Sequence, residues 1–203
     1  MTDASFWDKV APKYALSPIG NPQAYEYTLD RTRSYLKNTD QVLEMGCGTG
    51  STALLLASSV DHLTATDISP AMIAIAKGKP TPQTNITFAV QDAVPEGRKY
   101  DAVLAFNLFH LVPEMENRFR QIHAALPEGG YFISKSACLR GGLKGIGFAI
   151  LLPMLRAMGK APYVRRFTAT ALEQAITAAG FDIVESGNHP GIARYVVARK
   201  RAS

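Results

Sequence analysis

At 203 residues, 47% hydrophobic and 19% charged, the chain is long enough for one domain with a sizeable core and too apolar to be disordered. Its net charge of +5 is concentrated in residues 129–172, which hold seven basic residues and no acid; such an asymmetry speaks to partners rather than to fold. Two cysteines exclude a disulfide framework and point to a reduced, cytoplasmic setting, the first residues do not read as a secretory signal, and the longest apolar stretch, residues 145–155, is broken by Pro153 well short of the roughly 20 residues of a membrane span.

Residues 5–16 read as a short helix with a break near Pro12, and the turn signals Ser17-Pro18 and Asn21-Pro22 lead to a second helix over about residues 23–37. Val42-Leu43-Glu44-Met45 is a short apolar run carrying one acid. It breaks into Gly46, Gly48 and Gly50, with Cys47 between the first two, and a helix opens at Ser51. Strand, glycine turn and helix N-terminus make the first unit of a nucleotide-binding α/β fold. A second strand, residues 63–67, ends on Asp67, and Ile68-Ser69-Pro70-Ala71-Met72 opens the next helix. An acid about 20 residues beyond such glycines binds ribose hydroxyls; the plainer reading makes Asp67 or Ser69 a helix cap. Residues 86–90 form a third strand, followed by Gln91-Asp92-Ala93. Residues 100–106 form a fourth, which Asn107-Leu108-Phe109-His110 leaves. Ligands of these sheets bind beyond the carboxyl ends of strands, so Asn107 and His110 project toward the site. His110 reads either as a base or as a packed histidine orienting its loop.

A helix over residues 113–126 stops at Pro127-Glu128-Gly129-Gly130, with His123 facing out, and residues 131–135 form the fifth strand. A helix begins at Thr168 and ends at Gly180. Residues 181–185 and 194–199 are the last two strands, joined through His189-Pro190-Gly191; His62 and His189 are expected in solvated connections. Between strand five and the last helix, residues 138–166 form an insertion. Leu143, Ile146, Ile150, Leu151, Met154, Leu155 and Met158 follow helical spacing, Arg156 and Lys160 take the other face, and Pro153 divides the segment into two short helices. That apolar face either packs as a cap on the domain, or lines an apolar substrate pocket or touches a lipid surface, with the basic window suited to an anionic one.

The acid followed by Gly-x-Gly-x-Gly resembles the first motif of the class I S-adenosylmethionine (SAM)-dependent methyltransferases. A dinucleotide fold prefers Gly-x-Gly-x-x-Gly, whose third glycine is here Ser51, which disfavours a nicotinamide oxidoreductase. Glu44, Gly46, Gly48, Gly50, Asp67, Asp92-Ala93 and Asn107 occur in the family's order, and the likeness covers about residues 36–137 and 167–200. It is greatest to the small-molecule group that includes the ubiquinone and menaquinone-pathway enzymes. The resemblance implies an α/β, Rossmann-like, doubly wound seven-stranded sheet, mostly parallel with an antiparallel last strand. Residues 1–37 would be a helical lid, 38–137 and 167–203 the SAM-binding core, and 138–166 the substrate cap of one domain. It implies SAM held by Tyr14, Glu44, Gly46, Cys47, Gly48, Gly50, Asp67, Ile68, Met72, Asp92, Ala93, Asn107 and Leu108, with the ribose on Asp67 and the adenine on Asp92 and Ala93.

Trp7-Asp8 and Ala11-Pro12-Lys13-Tyr14 are similar to a family segment that closes over the cofactor; packing of that helix on the sheet is the alternative. Tyr14 and His110 are the candidates beside the transferring methyl group, and no metal is expected. The acceptor is expected to be small and apolar or lipid-like. Nucleic acid is not expected, because Asn107-Leu108-Phe109-His110 departs from the Asn/Asp-Pro-Pro-aromatic stretch of DNA amino-methylating members. A SAM-binding protein without turnover is the other functional class left open.

Overall fold

The computed structural model describes residues 4–95, 97, 99–139, 151–152, 154–188 and 192–202. Helices α1 (Ala4–Ala15) and α2 (Pro22–Arg33) precede β1 (Gln41–Met45), α3 (Ser51–Leu56), β2 (His62–Asp67), α4 (Pro70–Lys77), β3 (Ile86–Val90) and β4 (Ala102–Phe106). Then come α5 (Met115–Ala125), β5 (Tyr131–Ala137), α6 (Ala169–Ala178), β6 (Phe181–Asn188) and β7 (Ala193–Lys200). The strands form one seven-stranded sheet in the order β3-β2-β1-β4-β5-β7-β6. The contacts from β3 to β5 are parallel, and β7 runs antiparallel to both β5 and β6. The strand order reverses between β1 and β4, which places a crevice at the carboxyl ends of those two strands.

Both faces of the sheet are covered, so its central strands are buried along most of their length rather than at alternate residues. Leu43, Val103, Ala105 and Phe132 pack under α5 and α6 with Phe119, Ile122, Leu172 and Ile176. Val42, Leu104, Ile133 and Val197 face the other way, beneath α2, α3 and α4, with Leu29, Leu56 and Ile73. Phe109, Phe119, Phe132 and Phe181 form a chain of tilted and edge-on rings, the closest centroids 4.6 Å apart.

Four local expectations are corrected. Helix α1 runs through Pro12, whose ring is exposed: the helix forfeits one ladder bond near its end and continues for three more residues. Helix α2 stops at Arg33 rather than near residue 37, because the amides of Tyr35 and Leu36 bond the carbonyls three residues back and tighten the chain into turns. His123 does not face out; its ring meets Phe181 edge-on, with centroids 5.2 Å apart. His62 belongs to β2, where its Nε2 is 3.0 Å from Thr87 Oγ1. Leu143, Ile146, Ile150, Pro153 and the His189-Pro190-Gly191 connection lie outside the described residues; positions 151–152 and 154–157 are helical. Among the described residues, no helix is long and apolar enough to cross a membrane, and no cluster of metal-ligating side chains occurs.

Candidate functional site

The turn after β1 is tight because the Cys47 amide bonds Thr66 O at 2.9 Å and the Gly50 amide returns to Cys47 O at 2.9 Å. Gly50 has φ +76° and sits hard against α4 and β3: a Cβ there would lie 2.7 Å from the Phe88 ring and 2.9 Å from Ala76 Cβ. Gly48 is different, since a Cβ there would meet only the Tyr14 ring at 3.8 Å, so this backbone is open to the crevice. Asp67, at the end of β2, accepts the Gly48 amide on Oδ2 and the Ser69 amide on Oδ1, both at 2.9 Å. One carboxylate therefore fixes the glycine loop and the start of α4 together. Ser69 is the cap of α4, accepting the Met72 amide at 3.1 Å.

Asp8 clips α1 onto that helix start. Its Oδ1 accepts the Ser69 hydroxyl at 2.6 Å and the Ala71 amide at 3.1 Å, and these bonds hold its carboxyl below the usual range. The clip brings Trp7 and Tyr14 over the glycine loop, with their rings edge-on at 6.4 Å. On the opposite side Asn107 leaves β4 with φ +56°, the one non-glycine residue in the left-handed region among those described, and its amide bonds Lys135 O at 2.6 Å. Asparagine tolerates that conformation better than most residues.

These elements enclose a cavity of about 390 Å³. Its wall includes Tyr14, Gly46, Gly48, Asp67, Ile68, Met72, Asp92, Asn107 and Leu108 of the sequence-derived set. Glu44, Cys47, Gly50, Ala93 and His110 are not in that wall. Glu44 is buried beneath the loop with Oε2 lacking any hydrogen-bond partner; burial, aided by the charge of Asp67, pushes its carboxyl up to about 8. Burial pushes the Asp67 carboxyl up against its two amide bonds, and it pushes the Cys47 thiol up as well. The Tyr14 phenol is raised by burial and by Asp67, so it is a neutral donor at physiological pH. His110 is lowered to about 4 by burial and its Nδ1 has no partner, leaving a neutral imidazole packed behind the loop.

Sequence reasoning missed several wall residues. Leu111, Val112 and Pro113 extend the apolar side, Glu114 adds a carboxyl-bearing side chain to the wall, and Arg118 of α5 pairs with Asp92 at 3.3 Å. Arg156 reaches the wall from the cap, its guanidinium 5.0 Å from the Tyr163 ring centroid. Arg165 docks the end of the cap: it forks onto Glu116 at 2.8 and 2.5 Å, reaches Pro113 O at 2.9 Å, and its amide bonds His110 O at 2.7 Å. The Trp7-Asp8 pair was visible in sequence; nothing in the helix period of α5 singled out Arg118.

The buried Glu44 makes stability depend on pH. Its folded pKa lies above the ordinary value near 4.5, so the folded state holds a proton that the unfolded chain releases. Its contribution is intact below about pH 4.5 and is lost as pH rises toward 8 and beyond, at up to about 1.4 kcal/mol per unit. Urea unfolding at pH 5 and pH 8 is expected to show a larger loss for the wild type than for Glu44→Gln. Equal losses would mean that Glu44 ionises freely in place.

The sequence matches a family described as a methyltransferase domain over residues 21–186, most of the chain. It is 33% identical over 99 residues to malonyl-[acyl-carrier protein] O-methyltransferase 1 of Ilyobacter polytropus, covering 46% of this chain and 37% of that protein. It is 34% identical over 145 residues to 2-heptyl-1-hydroxyquinolin-4(1H)-one methyltransferase of Mycobacteroides abscessus, covering 66% of this chain and 62% of that one. The matched region is thus less than two thirds of either relative. Among solved structures, the DhpI complex with S-adenosylhomocysteine (SAH) superposes with a TM-score of 0.77 over 99% of this chain and 96% of that one, at 21% identity. Sheet order, glycine turn and family match agree: the chain belongs to the methyltransferase domain family.

Proposed function

We propose that the protein binds SAM in the crevice above β1, β2 and β4 and transfers its methyl group to a small acceptor. The observation that carries this reading is one continuous wall, from the open Gly48 backbone and the Asp67 carboxylate to Asn107 and Leu108, roofed by Trp7 and Tyr14. The cavity falls in the size range of small-molecule sites. The residues suit the cofactor: Asp67 retains lone pairs for ribose hydroxyls, the Gly46–Gly50 backbone admits the methionine part, and the unpartnered Glu44 Oε2 lies below it. Ile68, Met72 and Leu108 supply apolar wall, and Asp92, tied to Arg118, faces the adenine side.

Bound SAM supplies an activated methyl group, so the protein's part is alignment and exclusion of water. The clipped α1 helix provides the roof, and Tyr14 presents a neutral hydroxyl to whatever lies beneath it. His110 orients the loop after β4 through its backbone bond to Arg165 rather than acting as a base. The related proteins are named for O-methylation of a malonyl group and for a heptyl hydroxyquinolone, which supports a small acceptor with a polar head and apolar body. Leu111, Val112 and Pro113 fit such a body. Cys47 and Cys138 are free thiols, which suits a reducing cytoplasm. The test is SAH formation from SAM across a panel of carboxylic acids and phenols, beside calorimetric SAH binding. A protein that neither binds SAH nor forms it would defeat the reading.

The cap is the part we assign to acceptor delivery from an anionic lipid surface. Leu151, Met154 and Met158 are exposed apolar side chains beside the exposed cations Arg156 and Lys160. Each cation near such a surface contributes about 1 kcal/mol, less at high salt. Co-sedimentation with phosphatidylserine vesicles is expected at low salt, weakening roughly tenfold or more in an Arg156/Lys160 double-Ala variant. Absence of binding at any salt would confine the acceptor to solution.

A further inference from the structure

Lys135 is a charge that the fold does not balance. It lies on β5 near the carboxyl end of the sheet, only 9% exposed. Its ammonium donates to Thr28 Oγ1 of α2 at 2.9 Å, while the Thr28 hydroxyl donates onward to Ala24 O at 2.7 Å. No carboxylate among the described residues pairs with it. The cap that begins three residues later cannot supply one either, since residues 129–172 contain no acid. Burial pushes the Lys135 amine down, the direction of a cation without a counter-charge. A buried ammonium with one neutral acceptor is costly, and an apolar side chain would pack there without that cost.

Lys135 lies behind the cavity wall rather than in it. Lys135 stands opposite Phe106 in the β4–β5 register, so the two side chains leave the same face of the sheet, and Phe106 is part of the cavity wall. The Lys135 carbonyl holds the Asn107 amide, which sets the strained corner next to Leu108. We propose that Lys135 is a specificity-determining residue whose ammonium, held on Thr28 just behind the wall, favours a methyl acceptor that carries an acidic oxygen in the crevice. The acceptor class is then an apolar molecule with an anionic head, a carboxylate or an acidic hydroxyl already ionised. Such an acceptor needs no general base. This deepens the proposed methyl transfer and rests on it.

The experiment is calorimetric titration of the SAH-saturated protein with octanoate and with octanamide, which share a chain and differ in charge. Wild type is expected to bind octanoate roughly tenfold to a hundredfold more tightly. Lys135→Met should erase that preference while leaving SAH affinity within about threefold, and Lys135→Arg should restore part of it. Equal binding of the two probes by wild type overturns the inference without needing any variant. A preference that survives Lys135→Met also overturns it, and so does a loss of SAH affinity in that variant, which would assign the ammonium to the cofactor. Failure of wild type to bind SAH at all strikes the methyl-transfer reading itself and is read separately.

Discussion

Replacing Asp67 with alanine is expected to weaken SAH binding at least about a hundredfold. Two losses act together. Hydrogen bonds between the carboxylate and two ribose hydroxyls, at about 1.5–3 kcal/mol each, account for about 3–6 kcal/mol. The glycine loop also loses its tether, because Asp67 Oδ2 holds the Gly48 amide and Oδ1 the Ser69 amide, each at 2.9 Å. Ser69 still caps α4 and Asp8 still clips α1 to it, so the variant is expected to fold. Asp67→Asn separates the two losses, since its single oxygen accepts one amide while the charge is gone. Calorimetry on both variants reads the effect; an Asp67→Ala affinity within threefold of wild type would remove Asp67 from the site.

The largest effect on stability is expected at Gly50. Alanine there carries a left-handed backbone cost of about 1–2 kcal/mol. Its Cβ also sits 2.7 Å from Phe88 and 2.9 Å from Ala76, atoms in a packed seam between α4 and β3, and such overpacking adds about 1–3 kcal/mol. Urea unfolding of Gly50→Ala is thus expected to lose about 2–5 kcal/mol. Gly48→Ala has the same backbone cost without the clash, since only the Tyr14 ring lies near, at 3.8 Å. It is expected to lose about 1–2 kcal/mol of stability and to damage SAH binding disproportionately, because its new methyl occupies the open face of the turn. Equal stability losses at the two positions would mean that the seam around Phe88 yields readily.

The core of this fold was legible because its signals are local. A strand, three alternating glycines and a helix start lie within about fifteen residues, and Asp67 follows at the end of the next strand. Legibility failed where structure depends on distant contacts. Pro12 announces a break, yet its ring points to solvent and the helix runs on. His123 sits on a helix whose polar pattern suggests solvent, but β6 arrives beside it and offers Phe181. His110 stands four residues beyond β4, where the sequence allows either a base or a packed histidine; in the 3-10 turn at Phe109–Leu111 it lies outside the cavity wall. Arg118 carried no sequence signal, and Lys135 showed only as one cation of the basic window. Their pairings exist only once α5 faces Asp92 and α2 lies over β5.

The most direct test is a crystal structure of the protein with SAH. The account predicts the ribose hydroxyls on Asp67, the methionine part along the Gly46–Gly50 backbone beneath Tyr14, and the sulfur directed toward Asn107 and Leu108. SAH bound outside this cavity, or a ribose that leaves Asp67 engaged only by the amides of Gly48 and Ser69, would contradict it.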